Sequence, residues 1–386
     1  MQILQGVVRH YEWGSTSEIP DLLGVAADGR PWAELWLGAH PSAPASVGCN
    51  TRPLDELIKS DPEGALGHEV KSRFGTLPFL LKVLSAGAPL SIQAHPSLAQ
   101  AREGYEREDS AGVPIDAFHR SFKDRNHKPE LICALTSFEA LSGFRDPRTT
   151  LRMLATIDTA ALDPIRERLS SADSTRLADL LEWMLTLDKS VGAGIVSSTV
   201  GACEASNDDE FAAERAMAVE LADKYPGDIG VITALLLNRV VLAPGEAMFL
   251  EAGSLHAYLR GTGVEIMANS DNVLRGGLTP KHIDVPSLLE VVDAQPVEPD
   301  IQSPDPSSLI TRYRSPVPEF SLTRIVVDKP VEIEQGPAIL LCTAGCLEVG
   351  PRTLDKGESM WVPASVGSMA VDGHGTLFRA GVGRLD

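Results

Sequence analysis

A twelve-residue pattern occurs twice in this chain, and it restricts the fold more than any other feature. The first copy is Gly245-Glu246-Ala247-Met248-Phe249-Leu250-Glu251-Ala252-Gly253-Ser254-Leu255-His256. The second is Gly357-Glu358-Ser359-Met360-Trp361-Val362-Pro363-Ala364-Ser365-Val366-Gly367-Ser368. Each opens on a Gly-Glu turn, runs through four strand-forming residues and closes in a second turn. Two β-barrels of similar type are therefore expected. The first ends the pattern on His256 and the second on Ser368, so only the first should carry a metal-binding imidazole.

The rest of the chain divides around these copies. The run Leu77 to Leu84 reads as a buried strand, and Pro89 to His95 as another. Alternation along that second strand points Gln93 and His95 the same way. From 147 to about 226 the period changes. Leu177, Leu180, Leu181, Met184 and Leu185 fall on one helical face, with Ser174 as N-cap. Arg152 to Leu169, broken by Pro164, and Asp208 to Lys224 also read as helical. The Gly-rich stretch Val191 to Ser206 reads as loop. Strands resume at Asn238, and the tract Gln295 to Pro316, with its five prolines, reads as a linker or crossing segment. The fold class expected is mainly β with an inserted α-helical domain. Its boundaries are 1–146 plus 231–290 for the catalytic unit, 147–230 for the helical insertion, and 291–386 for a C-terminal barrel without metal ligands.

A net charge of −19 over 386 residues argues against a nucleic-acid partner, which needs a basic face. No apolar run approaches the roughly 18 residues of a membrane span, and the N-terminus lacks the features of an export signal. Five cysteines without CxxC spacing fit reduced thiols, so a cytoplasmic protein is expected. The same charge opposes an anionic substrate unless a local basic cluster reverses the field. Arg275 and Lys281, six apart around a Gly-Gly turn, and Lys128 supply such a cluster.

Three separated strings carry the chemistry: Ser91-Ile92-Gln93-Ala94-His95-Pro96, Asn126-His127-Lys128-Pro129-Glu130, and Gly253-Ser254-Leu255-His256-Ala257-Tyr258. Gln93, His95, Glu130 and His256 together offer two imidazoles, a carboxylate and an amide oxygen, a set suited to zinc. Two histidines and a carboxylate would also suit an iron oxygenase, although Gln93 would then fill a position that oxygen chemistry needs open.

The Gly245–His256 copy resembles the second signature of the cupin barrels, departing from it in two places: Glu251 replaces a proline, and no Asn follows at the expected offset. Over nearly its whole length the chain is similar to the type I mannose-6-phosphate isomerases (phosphomannose isomerases). The motifs that carry the likeness include Tyr11-Glu12-Trp13-Gly14-Ser15, Ala33-Glu34-Leu35-Trp36-Leu37-Gly38-Ala39-His40-Pro41 and Gln93-Ala94-His95-Pro96. They continue through Asn126-His127-Lys128-Pro129-Glu130 and the long string from Glu265 to Lys281.

The resemblance implies two cupin-like (jelly-roll) barrels and one zinc ion per chain on Gln93, His95, Glu130 and His256. It also implies interconversion of mannose 6-phosphate and fructose 6-phosphate through an enediol. Lys128, His127, Asp271 and Glu265 are the nearby proton carriers, with Lys128 favoured as base. Asp271 with Arg275 is assigned to ring opening or to holding sugar hydroxyls. Lys281, Tyr258, Glu265, Ser91 and Trp13 are expected to contact substrate. A monomer acting on a small sugar phosphate is expected. A related aldose as substrate, or binding without turnover, stays open.

Overall fold

A computed structural model of the chain describes residues 1–48, 51–170 and 176–384. Two antiparallel sheets dominate it, of eleven and ten strands, with eleven α-helices among the described residues. In the larger sheet the strand His256–Ala268 is central. Its C-terminal half lies between Phe79–Ala86 and Glu130–Ala134. Its N-terminal end turns away to pair with Phe138–Phe144 and, at His256 itself, with Gln93. The change of partner occurs at Gly261, whose φ of +116° is closed to other residues. A Cβ there would stand 2.6 Å from the Ser137 carbonyl oxygen.

Alternation along these strands separates two environments. Leu35, Leu37, Leu81, Val83, Leu131, Val264 and Ile266 point to the second sheet. There they pack with Ile339, Leu341, Trp361 and Phe378 in one core. Each fully buried leucine of this set contributes ~1.5–3 kcal/mol. The residues between them, Glu34, Trp36, Lys82, Glu130 and Glu265, are buried on the opposite face. That face forms the polar site.

The repeated pattern holds down to single hydrogen bonds. Gly245 and Gly357 have φ of +89° and +88°. Their amides donate to Ala134 O and Cys342 O, each at 2.8 Å. The Glu246 and Glu358 carboxylates each accept the amide three residues upstream, both at 2.9 Å. Strands Ala247–Leu250 and Ser359–Val362 then start at the same offset. The copies diverge afterwards: His256 is fully buried and Ser368 is exposed.

The strand Gln2–Gln5 pairs with Ser359–Val362, so the N-terminus is hydrogen-bonded into the second sheet. The tract 295–316 crosses between sheets. Ile301–Gln302 pairs with Ala247–Leu250, and Ile310–Tyr313 with Ser321–Val327.

Two helical expectations need correction. Val191 to Ser206 is not loop: Lys189–Ala205 is a helix, capped by Asp188, whose side chain accepts the Ser190 amide. Its buried residues Gly192, Ile195, Val196, Thr199 and Cys203 keep helical spacing. Pro164 does not break a helix; it lies in the first turn of Asp163–Ser170, after Pro147–Ala155 has ended. Leu177, Leu180, Leu181 and Met184 are buried on the helix Arg176–Leu185 as expected. Ser174, its expected cap, lies outside the described residues. No helix among the described residues is long and apolar enough to cross a membrane.

Candidate metal centre and its surroundings

His95 follows the strand Ile92–Ala94, Glu130 begins Glu130–Ala134, and His256 begins His256–Ala268. Sheet register brings all three together. The Nε2 atoms of His95 and His256 each lie 3.5 Å from Glu130 Oε2. The three ligand atoms fall within 4.8 Å of one another. All three are buried, and none has a hydrogen-bond partner. Orphaned buried polar atoms are costly, and three converging on one point fit a cation. Gln93 sits opposite His256 across one strand pair and opposite Arg275 across the next, which sets it at the edge of the same centre.

The backbone fixes each ring. His95 Nδ1 donates to Asn272 O at 2.7 Å and His256 Nδ1 to Ser254 O at 2.9 Å, leaving both Nε2 lone pairs aimed inward. Burial first, and then the Lys128 charge, pushes the His95 imidazole down to about 4 and keeps it neutral. Burial works against ionisation of Glu130 as well. The Lys128 ammonium, 2.9 Å from Oε1, nevertheless holds this carboxyl well below its ordinary range. Two imidazoles that present Nε2 and one carboxylate form a donor set that suits zinc.

Asn272 is fully buried and organises the loop that holds His95. Its side-chain oxygen accepts the Lys123 and Asp124 amides, and its amide group donates to Asp124 O and Asn126 O. Asp124 in turn accepts from Ser270 Oγ and the Asp271 amide. Asn272→Ala is expected to weaken zinc affinity by about 10- to 100-fold, the usual cost of losing support around a ligand. Competition with a chromogenic chelator measures this, and unchanged affinity would remove Asn272 from that role.

The other expected site residues divide into those that meet at the centre and those that do not. Lys128 is buried beside Glu130, as expected. His127 turns away from the metal ligands, and its Nε2 is 2.9 Å from Glu319 Oε1. Asp271 is half exposed, 3.8 Å from His40 Nε2. Tyr258 and Glu265 are buried together, the tyrosine hydroxyl donating to Glu265 Oε1 at 2.8 Å. Ser91 is half-buried just before the strand that carries Gln93. Trp13 packs against the cluster that contains Tyr258.

Arg275 and Lys281 flank one turn. Burial pushes the guanidinium of Arg275 down, and no carboxylate among the described residues offsets it. Lys281 is lowered by burial and then by Arg275. Asp228 anchors this turn by accepting the Thr279 amide at 3.0 Å.

Three residues that belong here do not stand out in the sequence. Lys82 lies 3.2 Å from Glu265 Oε2 and 3.4 Å from Glu34 Oε1, over the Trp36 ring. Burial opposes its charge, but Glu34 and Glu265 hold the ammonium above its ordinary value. Its signal in the sequence is a lone lysine in an apolar strand. Lys123 is a third cation close to Arg275, its ordinary value lowered mainly by burial. Asp124 is the third, and nothing in its local sequence marks it.

A family model for the type I phosphomannose isomerase catalytic domain matches residues 1–147. The mannose-6-phosphate isomerase of Escherichia coli (strain K12) is 39% identical, the match covering 98% of this chain and 99% of that protein. The apo form of mannose 6-phosphate isomerase from Salmonella typhimurium superposes with a TM-score of 0.91 at 36% identity. That match covers 100% of this chain and 99% of the other. A structure of mannose 6-phosphate isomerase bound with zinc and yttrium gives a TM-score of 0.90 at 37% identity, with complete coverage of both chains. Full-length identity at this level, on a fold that places His95, Glu130 and His256 together, shows that the chain belongs to the type I mannose-6-phosphate isomerase family.

Proposed function

We propose that this chain interconverts mannose 6-phosphate and fructose 6-phosphate, with one zinc ion per chain held by Gln93, His95, Glu130 and His256. The observation that carries the reading is the convergence of three unpartnered, buried ligand atoms beside Lys128. When bound, zinc would supply Lewis-acid stabilisation of the oxygen charge that develops next to the reacting carbons.

The chain's own groups account for the remaining needs. In the direction from the aldose, a base takes the C2 proton of the open-chain sugar and a proton is delivered to C1. The C2 hydroxyl loses its proton while the C1 oxygen gains one, which passes through an enediol. Lys128 is the proton carrier that touches a ligand carboxylate, while His127 is held by Glu319. The cations Arg275, Lys281 and Lys123 suit the phosphate, because partial burial disfavours the charge of each and a dianion would offset that cost. Asp271 with His40 stands at the half-exposed rim, where it would meet sugar hydroxyls or assist ring opening.

The layout that supports this reading is a catalytic cupin-like barrel from 1–146 and 231–290, interrupted by helices in 147–230, and a second barrel in 291–386. The matching turns at Gly245 and Gly357 support the pair of barrels. The strand Gln2–Gln5 pairs with Ser359–Val362 of the second copy.

Lys128→Met is expected to leave zinc content unchanged and to lower turnover by about 10²- to 10⁴-fold, the range for a general base. Exchange of the C2 proton with deuterated solvent, followed by NMR, is the direct check. Retained exchange would assign the proton transfer to another group.

A further inference from the structure

A cavity of about 1540 Å³ lies between the two sheets. It is walled by the crossing tract 295–300, by 312–318 and by the end of the C-terminal strand. None of the zinc ligands lines it, nor do Lys128, Arg275 and Lys281. Its lining includes Arg379, Arg312 and Arg384, which all act on one acid, Glu334. Arg312 forms an ion pair with Glu334.

Arg379 is 7% exposed, yet its guanidinium makes one hydrogen bond, Nη2 to Gln335 O at 3.2 Å. Its Nε is buried without a partner. Three guanidinium groups sharing one carboxylate leave a local excess of positive charge in a protein of net charge −19. A buried guanidinium with unused donors is costly unless an anion completes it.

The other acids on the wall do not cancel this charge. Asp300 is taken by Arg314 at 2.7 Å, and none of the other lining acids, Glu69, Glu251, Asp293 and Glu298, forms an ion pair with Arg379, Arg312 or Arg384. Gly336, beside Gln335, has φ of +115°. A Cβ built there would lie 3.8 Å from Arg379 Nη2, so the backbone leaves the guanidinium uncovered on that side.

We propose that Arg379, Arg312 and Arg384 form a second oxyanion site, separate from the catalytic centre, that takes a phosphoryl group. The planar fork of arginine matches phosphate oxygens in pairs. The cavity has room for the body of a small phosphate ester as well as for the free ion.

The test uses the zinc-loaded protein. Inorganic phosphate and glycerol phosphate are titrated calorimetrically into the wild type, Arg379→Met, and the double variant Arg312→Gln/Arg384→Gln. Crystals soaked in tungstate locate the anion by anomalous scattering. The expected result is a tungstate peak at Arg379 and the loss of one binding event in both variants, with kcat/KM within about twofold of wild type. Glycerol phosphate binding more tightly than phosphate would identify an ester site, and the reverse order a free-ion site. The double variant alters exposed residues, so it remains decisive even where Arg379→Met fails to fold. Tungstate confined to the Arg275–Lys281 cleft, with titrations unchanged in the double variant, would overturn the proposal. Loss of isomerase activity without that pattern would bear on the catalytic reading alone.

Discussion

Glu130→Gln is expected to abolish stoichiometric zinc retention and to lower turnover by about a thousandfold or more. The substitution keeps the shape of the side chain and removes its charge. Glu130 Oε2 is the atom that both imidazole Nε2 atoms face at 3.5 Å, so its charge sits at the focus of the donor set. A bound divalent ion contributes several kcal/mol of transition-state stabilisation, and each ~1.4 kcal/mol corresponds to a factor of ten in rate. Zinc measured by mass spectrometry, together with kcat, checks both halves of the expectation. A variant that keeps one zinc per chain and loses less than tenfold in kcat would contradict the assignment.

Lys82→Met should produce the largest stability change in the molecule. The ammonium sits between two buried carboxylates, Glu34 and Glu265, on neighbouring strands. Removing one partner of a buried ion pair costs roughly 3–5 kcal/mol, because the remaining charge is left uncompensated. The pH dependence has a definite sign. Glu265 is already raised by burial, with Lys82 the main group pulling it back down. Without Lys82 its folded value rises further, so the folded state binds a proton that the unfolded chain releases. The loss of stability is therefore smallest below the ordinary carboxylate value and grows as pH increases above it. Urea unfolding at several pH values measures this, and a pH-independent loss would show that Glu265 is not the group left unpaired.

The sequence exposes some of this site better than the rest, for physical reasons. His95, Glu130 and His256 are legible because each lies where a strand begins or ends, next to turn residues with strong conformational preferences, as with Gly253 before His256. The repeat is legible because its turn needs a positive φ at Gly245 and Gly357, and a carboxylate to accept an upstream amide.

The helix Lys189–Ala205 reads as loop in the sequence because its glycines and β-branched residues lower intrinsic helix preference. Packing against Ala212–Lys224 and the Asp188 cap decide the outcome instead. Lys82, Asp124 and Asn272 escape a local reading because their roles depend on partners more than 40 residues away in the chain. A run of apolar residues around Lys82 gives no hint that Glu34 and Glu265 meet it. His127, adjacent to Lys128, looks equivalent to it as a proton carrier. The two side chains part ahead of the strand that begins at Glu130: Lys128 turns to that glutamate, and Glu319, in the bend before Ser321–Val327, takes the histidine.

The measurement that bears most directly on the proposed activity is a coupled assay of purified protein converting mannose 6-phosphate to fructose 6-phosphate. It is run on the protein as isolated, after metal stripping, and after zinc return. The expected result is turnover that disappears on stripping and returns with one equivalent of zinc per chain. Turnover that survives complete stripping, or a zinc-loaded protein that is inactive on this substrate, would contradict it.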